Sequence, residues 1–90
     1  MIDPDDWRLL TGNAETLRGA TLFWRPWRQE RPHWDHDHCA FCMAKFCDER
    51  IPDALHEGFT TADNRWWICR PCAEEFSQHC AFKFAATGTT

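Results

Sequence analysis

The sequence predicts a small α+β domain with a treble-clef or ribbon core, preceded by an N-terminal helix and strand and closed by a C-terminal helix. Three observations predict it. Two Cys-x-x-Cys pairs, Cys39/Cys42 and Cys69/Cys72, are separated by enough chain for a hairpin and a loop. Cys72, Phe76, Cys80 and Phe84 recur every four residues, the spacing of one helical stripe. At 90 residues the chain lies near the lower limit of what a hydrophobic core can stabilise alone, so a cross-link adds much.

Element by element, Asp3-Pro4-Asp5-Asp6-Trp7-Arg8-Leu9-Leu10 has the pattern of a short helix. Asp3 is its N-cap, Pro4 its first residue, and the following acids complement the helix dipole. Thr11-Gly12-Asn13 ends it, so residues 1–16 form an N-terminal helical segment ahead of a core spanning 17–84. Residues 17–27 are expected to be extended, with Leu22 and Trp24 on one face and Phe23, Arg25 and Trp27 on the other. Pro26 lacks a backbone donor, which makes this an edge strand or its end.

The first Cys-x-x-Cys knuckle belongs at a hairpin tip. Between the knuckles, Ile51-Pro52-Asp53, Gly58 and Asp63-Asn64 suit turns, while Leu55 and Phe59 are available for packing. Arg65-Trp66-Trp67-Ile68 forms a short strand delivering Cys69. Pro71 opens a helix expected to run to Phe84, with Glu74 and Glu75 in its first turn. Residues 85–90 are expected to form a flexible tail.

Four cysteines in two tight turns supply the tetrahedral thiolate set of a structural Zn²⁺, with Cys39, Cys42, Cys69 and Cys72 as ligands. The acidic, polar start Met1-Ile2-Asp3-Pro4-Asp5-Asp6 is unlike a secretory signal, and no apolar run could span a membrane. A cytoplasmic chain is therefore expected, where thiols stay reduced and bind metal rather than pair. Redox chemistry would need only one of the pairs. A helix directly after the second knuckle favours a treble clef over a zinc ribbon, in which both knuckles sit on hairpins. Arg70 and Lys45 are placed to offset the site's negative charge, and backbone N–H groups around each knuckle can donate to the sulfurs.

The remaining candidates each have a plainer explanation. Cys47 and Cys80, with His33, His36, His38, His56 and His79, could on paper hold a second metal; as small hydrophobes the two cysteines simply pack. His36 and His38, in Asp35-His36-Asp37-His38, form either a catalytic or metal-orienting pair or a polar approach to the knuckle. The latter is favoured. Trp24-Arg25-Pro26-Trp27-Arg28-Gln29-Glu30-Arg31 could stack single-stranded nucleic acid. Arginines snorkelling over tryptophans and pairing with the acidic centre account for it more simply.

Charge weighs against nucleic acid as the general partner. The formal net charge is −4, and four ligated thiolates outweigh one divalent cation, so zinc makes the chain more acidic still. Residues 35–63 carry seven acids against Lys45 and Arg50. Nucleic-acid-binding domains are usually basic.

The span from Cys39 to Cys72 resembles HNH nucleases, whose treble clef is framed by two Cys-x-x-Cys pairs. That family carries an Asp-His dyad, then Pro, a Gly-rich turn and Asn. Here Asp48-Glu49 precedes Ile51-Pro52, Gly58 follows, and Asn64 lies before Cys69. Glu49 stands where the general-base histidine belongs, Ala73 follows the second knuckle in place of Asn or His, and His56 is displaced. The resemblance implies the scaffold without its catalyst. A second resemblance, over about residues 17–76, is to short bacterial zinc-binding proteins of unknown function. It is carried by Trp34-Asp35-His36-Asp37-His38-Cys39, Phe41-Cys42, Gly58, Thr60-Thr61 and Trp66-Trp67-Ile68-Cys69 with Cys72. It implies a zinc-stabilised domain and no activity.

The sequence therefore points to a structural-zinc module that binds protein through exposed Trp or Arg groups. A divergent HNH-like nuclease or a nucleic-acid-binding zinc domain is the alternative.

Overall fold

The computed structural model describes residues 2–85, so most of the tail expected over 85–90 lies outside the described residues. At the N-terminus the Asp3 carboxylate accepts the Asp5 backbone N–H at 2.8 Å, and the Asp6 N–H donates to the Asp3 carbonyl. This side-chain turn competes with the helix expected there. Helical structure begins instead with a 3-10 turn, Trp7–Thr11, capped by Asp6, whose side chain accepts the Arg8 N–H. Gly12 ends the turn in the left-handed region (φ 77°) and leads into a single α turn, α1 (Asn13–Thr16). Leu17 follows as its buried C-cap, so the chain becomes extended only at Thr21.

Among the described residues six short strands follow: β1 (Thr21–Pro26), β2 (His36–His38), β3 (Lys45–Cys47), β4 (Glu57–Thr60), β5 (Trp67–Ile68) and, after helix α2 (Arg70–Glu75), β6 (Lys83–Phe84). They form a four-stranded sheet of order β5-β4-β1-β6 and a separate β2-β3 hairpin. Of the two expectations for Pro26, the strand's end is met, since β1 stops there. The edge position is corrected, because β1 lies between antiparallel β4 and parallel β6. Pro26 is tolerated for a geometric reason. The Trp27 N–H donates to His56 on the β4 side at 2.8 Å. Alternation then turns the Pro26 nitrogen towards β6, which pairs only with Thr21 and Leu22.

Gly58 lies within β4 rather than in a turn. A Cβ there would sit 2.5 Å from Cε1 of Phe46 and 3.2 Å from the Ile68 carbonyl oxygen. The bare backbone is what lets β4 cross the buried Phe46 ring on the hairpin. Phe41, Phe46 and Phe76 are fully buried, and Phe41 stacks on Phe76 with centroids 4.3 Å apart. That stack ties the hairpin loop to the segment after α2, giving a small core unusual aromatic area.

Helix α2 starts at the second knuckle as expected but ends at Glu75, so Glu74 and Glu75 occupy its last turn rather than its first. Phe76 caps it, and one more helical turn carries Cys80, whose N–H donates to the Phe76 carbonyl at 2.8 Å. The Ala81 N–H then bonds the Gln78 carbonyl and the Phe82 N–H bonds that of Ser77, with Ala81 left-handed (φ 53°). This is a Schellman stop. Cys72, Phe76 and Cys80 are all buried, as the stripe requires. Phe84 leaves it, standing 45% exposed on β6. Among the described residues no helix is long and apolar enough to cross a membrane.

Candidate metal centre

The hairpin pairs His36 with Cys47, Asp37 with Phe46 and His38 with Lys45, and its loop carries the first knuckle. The Cys39 N–H donates to the Ala44 carbonyl at 2.7 Å and the Met43 N–H returns to the Cys39 carbonyl. Met43 takes the left-handed conformation (φ 68°) that closes this turn. The Ala40 N–H then bonds the Trp67 carbonyl at 2.8 Å, docking the knuckle beside β5. Strand β5 ends at Ile68. Cys69 is the N-cap of α2, and Cys72 lies on its first turn.

These elements bring the four predicted ligands together, with all four sulfurs within 4.8 Å of one another. The Cys39 and Cys42 sulfurs lie 3.7 and 3.6 Å from that of Cys69. A tetrahedron with Zn–S bonds of about 2.3 Å has S···S edges of about 3.8 Å, so the spacing fits a metal of that size. Cys39, Cys69 and Cys72 are buried and Cys42 is half-buried. The backbone contributes as expected: the Phe41 and Cys69 N–H groups point at the Cys39 sulfur at 3.5 and 3.4 Å.

Four thiols this close cannot all ionise without a cation. Hydrogen bonds from Cys69 and Cys72, with backbone N–H groups, hold Cys39 far below the ordinary thiol range. The hydrogen bond to Cys39, together with burial, pushes Cys69 up to about 12 and Cys72 higher still. One thiolate thus forms at its neighbours' expense. A divalent ion removes the conflict by replacing the remaining protons.

The cation beside the cluster is Arg8, which sequence reasoning missed. Its guanidinium donates to the Cys72 sulfur at 3.5 Å, is gripped by both Asp6 oxygens, and pairs with Glu75 at 2.8 Å. It also lies over the Phe76 ring, 4.7 Å from the centroid. No periodicity links Arg8 to the knuckles; only the acids flanking it in sequence hint at a clamped guanidinium. Arg70, expected to offset the site's charge, stacks on Trp24 instead at 4.6 Å. Lys45 is exposed on β3.

The other candidates disperse. Among the described residues the four cysteines are the only cluster of metal-ligating side chains. Cys47 is buried against the Glu49 carbonyl and Cys80 against that of Ala14, and burial raises the Cys80 thiol. His36 binds the Asp35 carboxylate at 2.7 Å, and its ring meets that of His38 edge-on. Nδ1 of His56 contacts the Cys47 carbonyl, and His79 lies edge-on to Phe76. Of the HNH-like positions, Asp48 accepts the Gln29 N–H, while Asn64 joins Arg25 to Glu30. Glu49 is exposed.

Arg25 stacks on Phe23 and donates to Asn64 at 2.6 Å and to the Ala62 carbonyl. The expected pairing of this arginine segment with the acidic centre is not found. Among the described residues the arginine ion pairs are those of Arg8 and Arg18.

Comparison with protein-family models, with curated proteins and with solved structures returns no match.

Proposed function

We propose that the chain is a treble-clef zinc module that works by binding another protein. A knuckle in a hairpin loop and a second at a helix N-terminus support the treble-clef reading. All-sulfur coordination at this spacing supports zinc over harder ions. The module belongs in a reducing compartment, where its six cysteines remain thiols.

One observation carries binding over catalysis. Four sulfurs complete a tetrahedron by themselves, leaving the ion no open position for substrate or activated water. His36 pairs with Asp35 and meets His38 edge-on, while His56 and His79 contact other partners. Among the described residues the exposed side chains include Trp7 and Trp34, each more than half exposed, and tryptophan is a residue that dominates protein interfaces.

Plasmid DNA incubated with Mg²⁺ or Mn²⁺ tests this reading against its rival. The expected result is no cleavage beyond that of the His36→Ala, His38→Ala and His56→Ala variants. Cleavage abolished by any of these substitutions would overturn it.

A further inference from the structure

A second feature lies away from the cysteines. It is a cleft of about 270 Å³ between the segment after β1 and the turn before β5. Trp27, Trp34, Trp66 and Trp67 line it, with Arg28, Arg31 and Arg65 around them. Three of the indole N–H groups are already used. Those of Trp27 and Trp34 converge on one oxygen of Asp37, at 2.8 and 3.0 Å, and that of Trp67 donates to the Asn64 carbonyl. Trp27 and Trp67 are buried and form the cleft's floor, so the aromatic surface open to a ligand is that of Trp34, 54% exposed, and of the half-buried Trp66.

The cleft's acids are occupied in the same way. Asp37 holds the two indoles, Glu30 accepts from Asn64, and Asp63 accepts the Thr61 hydroxyl and the Arg65 backbone N–H. The three guanidiniums differ. Among the described residues none of them makes an ion pair, and all three residues are exposed. Among the described residues the donor capacity left in the cleft is thus the three guanidiniums and the Trp66 indole, beside the open surface of Trp34 and Trp66. Its complement is a ring next to carboxylates.

We infer that this cleft binds an acidic peptide segment, seating an aromatic side chain against the tryptophans with neighbouring carboxylates on Arg28, Arg31 and Arg65. The inference rests on the protein-binding reading above and names its ligand class. Single-stranded nucleic acid offers similar groups, but Glu30, Asp37 and Asp63 also line the cleft and oppose an unbroken run of phosphates more than the few carboxylates of a short peptide.

Selection from a random peptide library displayed on phage, using the zinc-loaded full chain, tests the inference. Selected peptides are then synthesised and titrated by tryptophan fluorescence beside oligothymidylate. The expected consensus is an aromatic residue flanked by Asp or Glu, with affinity falling as salt rises. Trp34→Ala, or Arg31→Ala with Arg65→Ala, should weaken binding about tenfold or more, while Arg18→Ala leaves it unchanged. These positions are exposed, and matching chelator-sensitive melting of each variant separates lost binding from lost folding. Peptides without acids whose binding survives the cleft substitutions would overturn the cleft assignment and leave the adaptor reading standing. Oligothymidylate bound more tightly than any selected peptide would overturn both.

Discussion

Arg8 donates to the sulfur of Cys72 at 3.5 Å across 64 positions of sequence. The contact joins the N-terminal segment to the metal centre, and Asp6 and Glu75 hold the guanidinium in place. A cation fixed beside a thiolate cluster offsets charge that the metal leaves uncompensated, as outer partners of zinc ligands do.

Replacing Arg8 should therefore weaken metal retention without removing a ligand. Arg8→Met keeps most of the packing over Phe76 and should lower zinc affinity roughly 10–100-fold in chelator competition. Arg8→Lys retains the charge but not the fork that spans Asp6, Glu75 and Cys72, so it should fall between. Unchanged affinity in Arg8→Met would show that the contact is incidental.

The Asp6–Arg8 pair predicts a pH signature. Hydrogen bonds from the Arg8 side chain and backbone lower the Asp6 carboxyl to about 2. A depressed carboxyl adds stability above its unfolded pKa of about 4, and that stability is lost as pH falls through the folded value. The wild type should therefore melt above Asp6→Asn at pH 6. The gap should hold from about pH 7 to pH 5 in thermal melts of the zinc-loaded proteins, and narrow as pH falls towards 4, where thiol protonation also begins to release the metal.

Gly58 is required by close packing. Its Cβ position lies 2.5 Å from the ring of Phe46, which is fully buried and tilted against Trp67. Gly58→Ala should destabilise the fold by about 1–3 kcal/mol, measured by denaturant titration of the zinc-loaded protein. Adding Phe46→Leu should recover part of the loss if the ring is the obstacle.

Ala81 closes the Schellman turn with φ 53°, a conformation in which glycine avoids the strain on a Cβ. Ala81→Gly should stabilise the protein by about 0.5–1 kcal/mol, the relief of strain exceeding the extra freedom of glycine in the unfolded chain. A lower denaturation midpoint in this variant would contradict the turn geometry.

The four-cysteine cluster was legible in the sequence because ligation chemistry fixes local spacing. A tight turn between Cys39 and Cys42, and another between Cys69 and Cys72, carries its own geometric instruction. The buried stripe through Phe76 and Cys80 was equally legible, since a helical period is a local property. Other features depend on distant partners. Nothing around Pro26 reveals that β6 stops short of it, leaving a central strand free to carry a proline. The stop after Cys80 was hidden because alanine, not glycine, takes the left-handed position at Ala81. Gly58 looked like a turn residue because the ring it accommodates belongs to another strand. Arg8 had no legible role for the same reason: its partners meet only after the chain folds.

The central claim is that Cys39, Cys42, Cys69 and Cys72 bind one structural zinc ion. Cobalt substitution followed by visible absorption tests it most directly, because Co²⁺ in a tetrahedral thiolate site absorbs strongly. One equivalent of Co²⁺ should give the tetrathiolate spectrum, Zn²⁺ should displace it, and Cys72→Ser should alter the spectrum and destabilise the fold. A metal-free chain that unfolds cooperatively, unchanged by chelator and without a thiolate–cobalt spectrum, would contradict it.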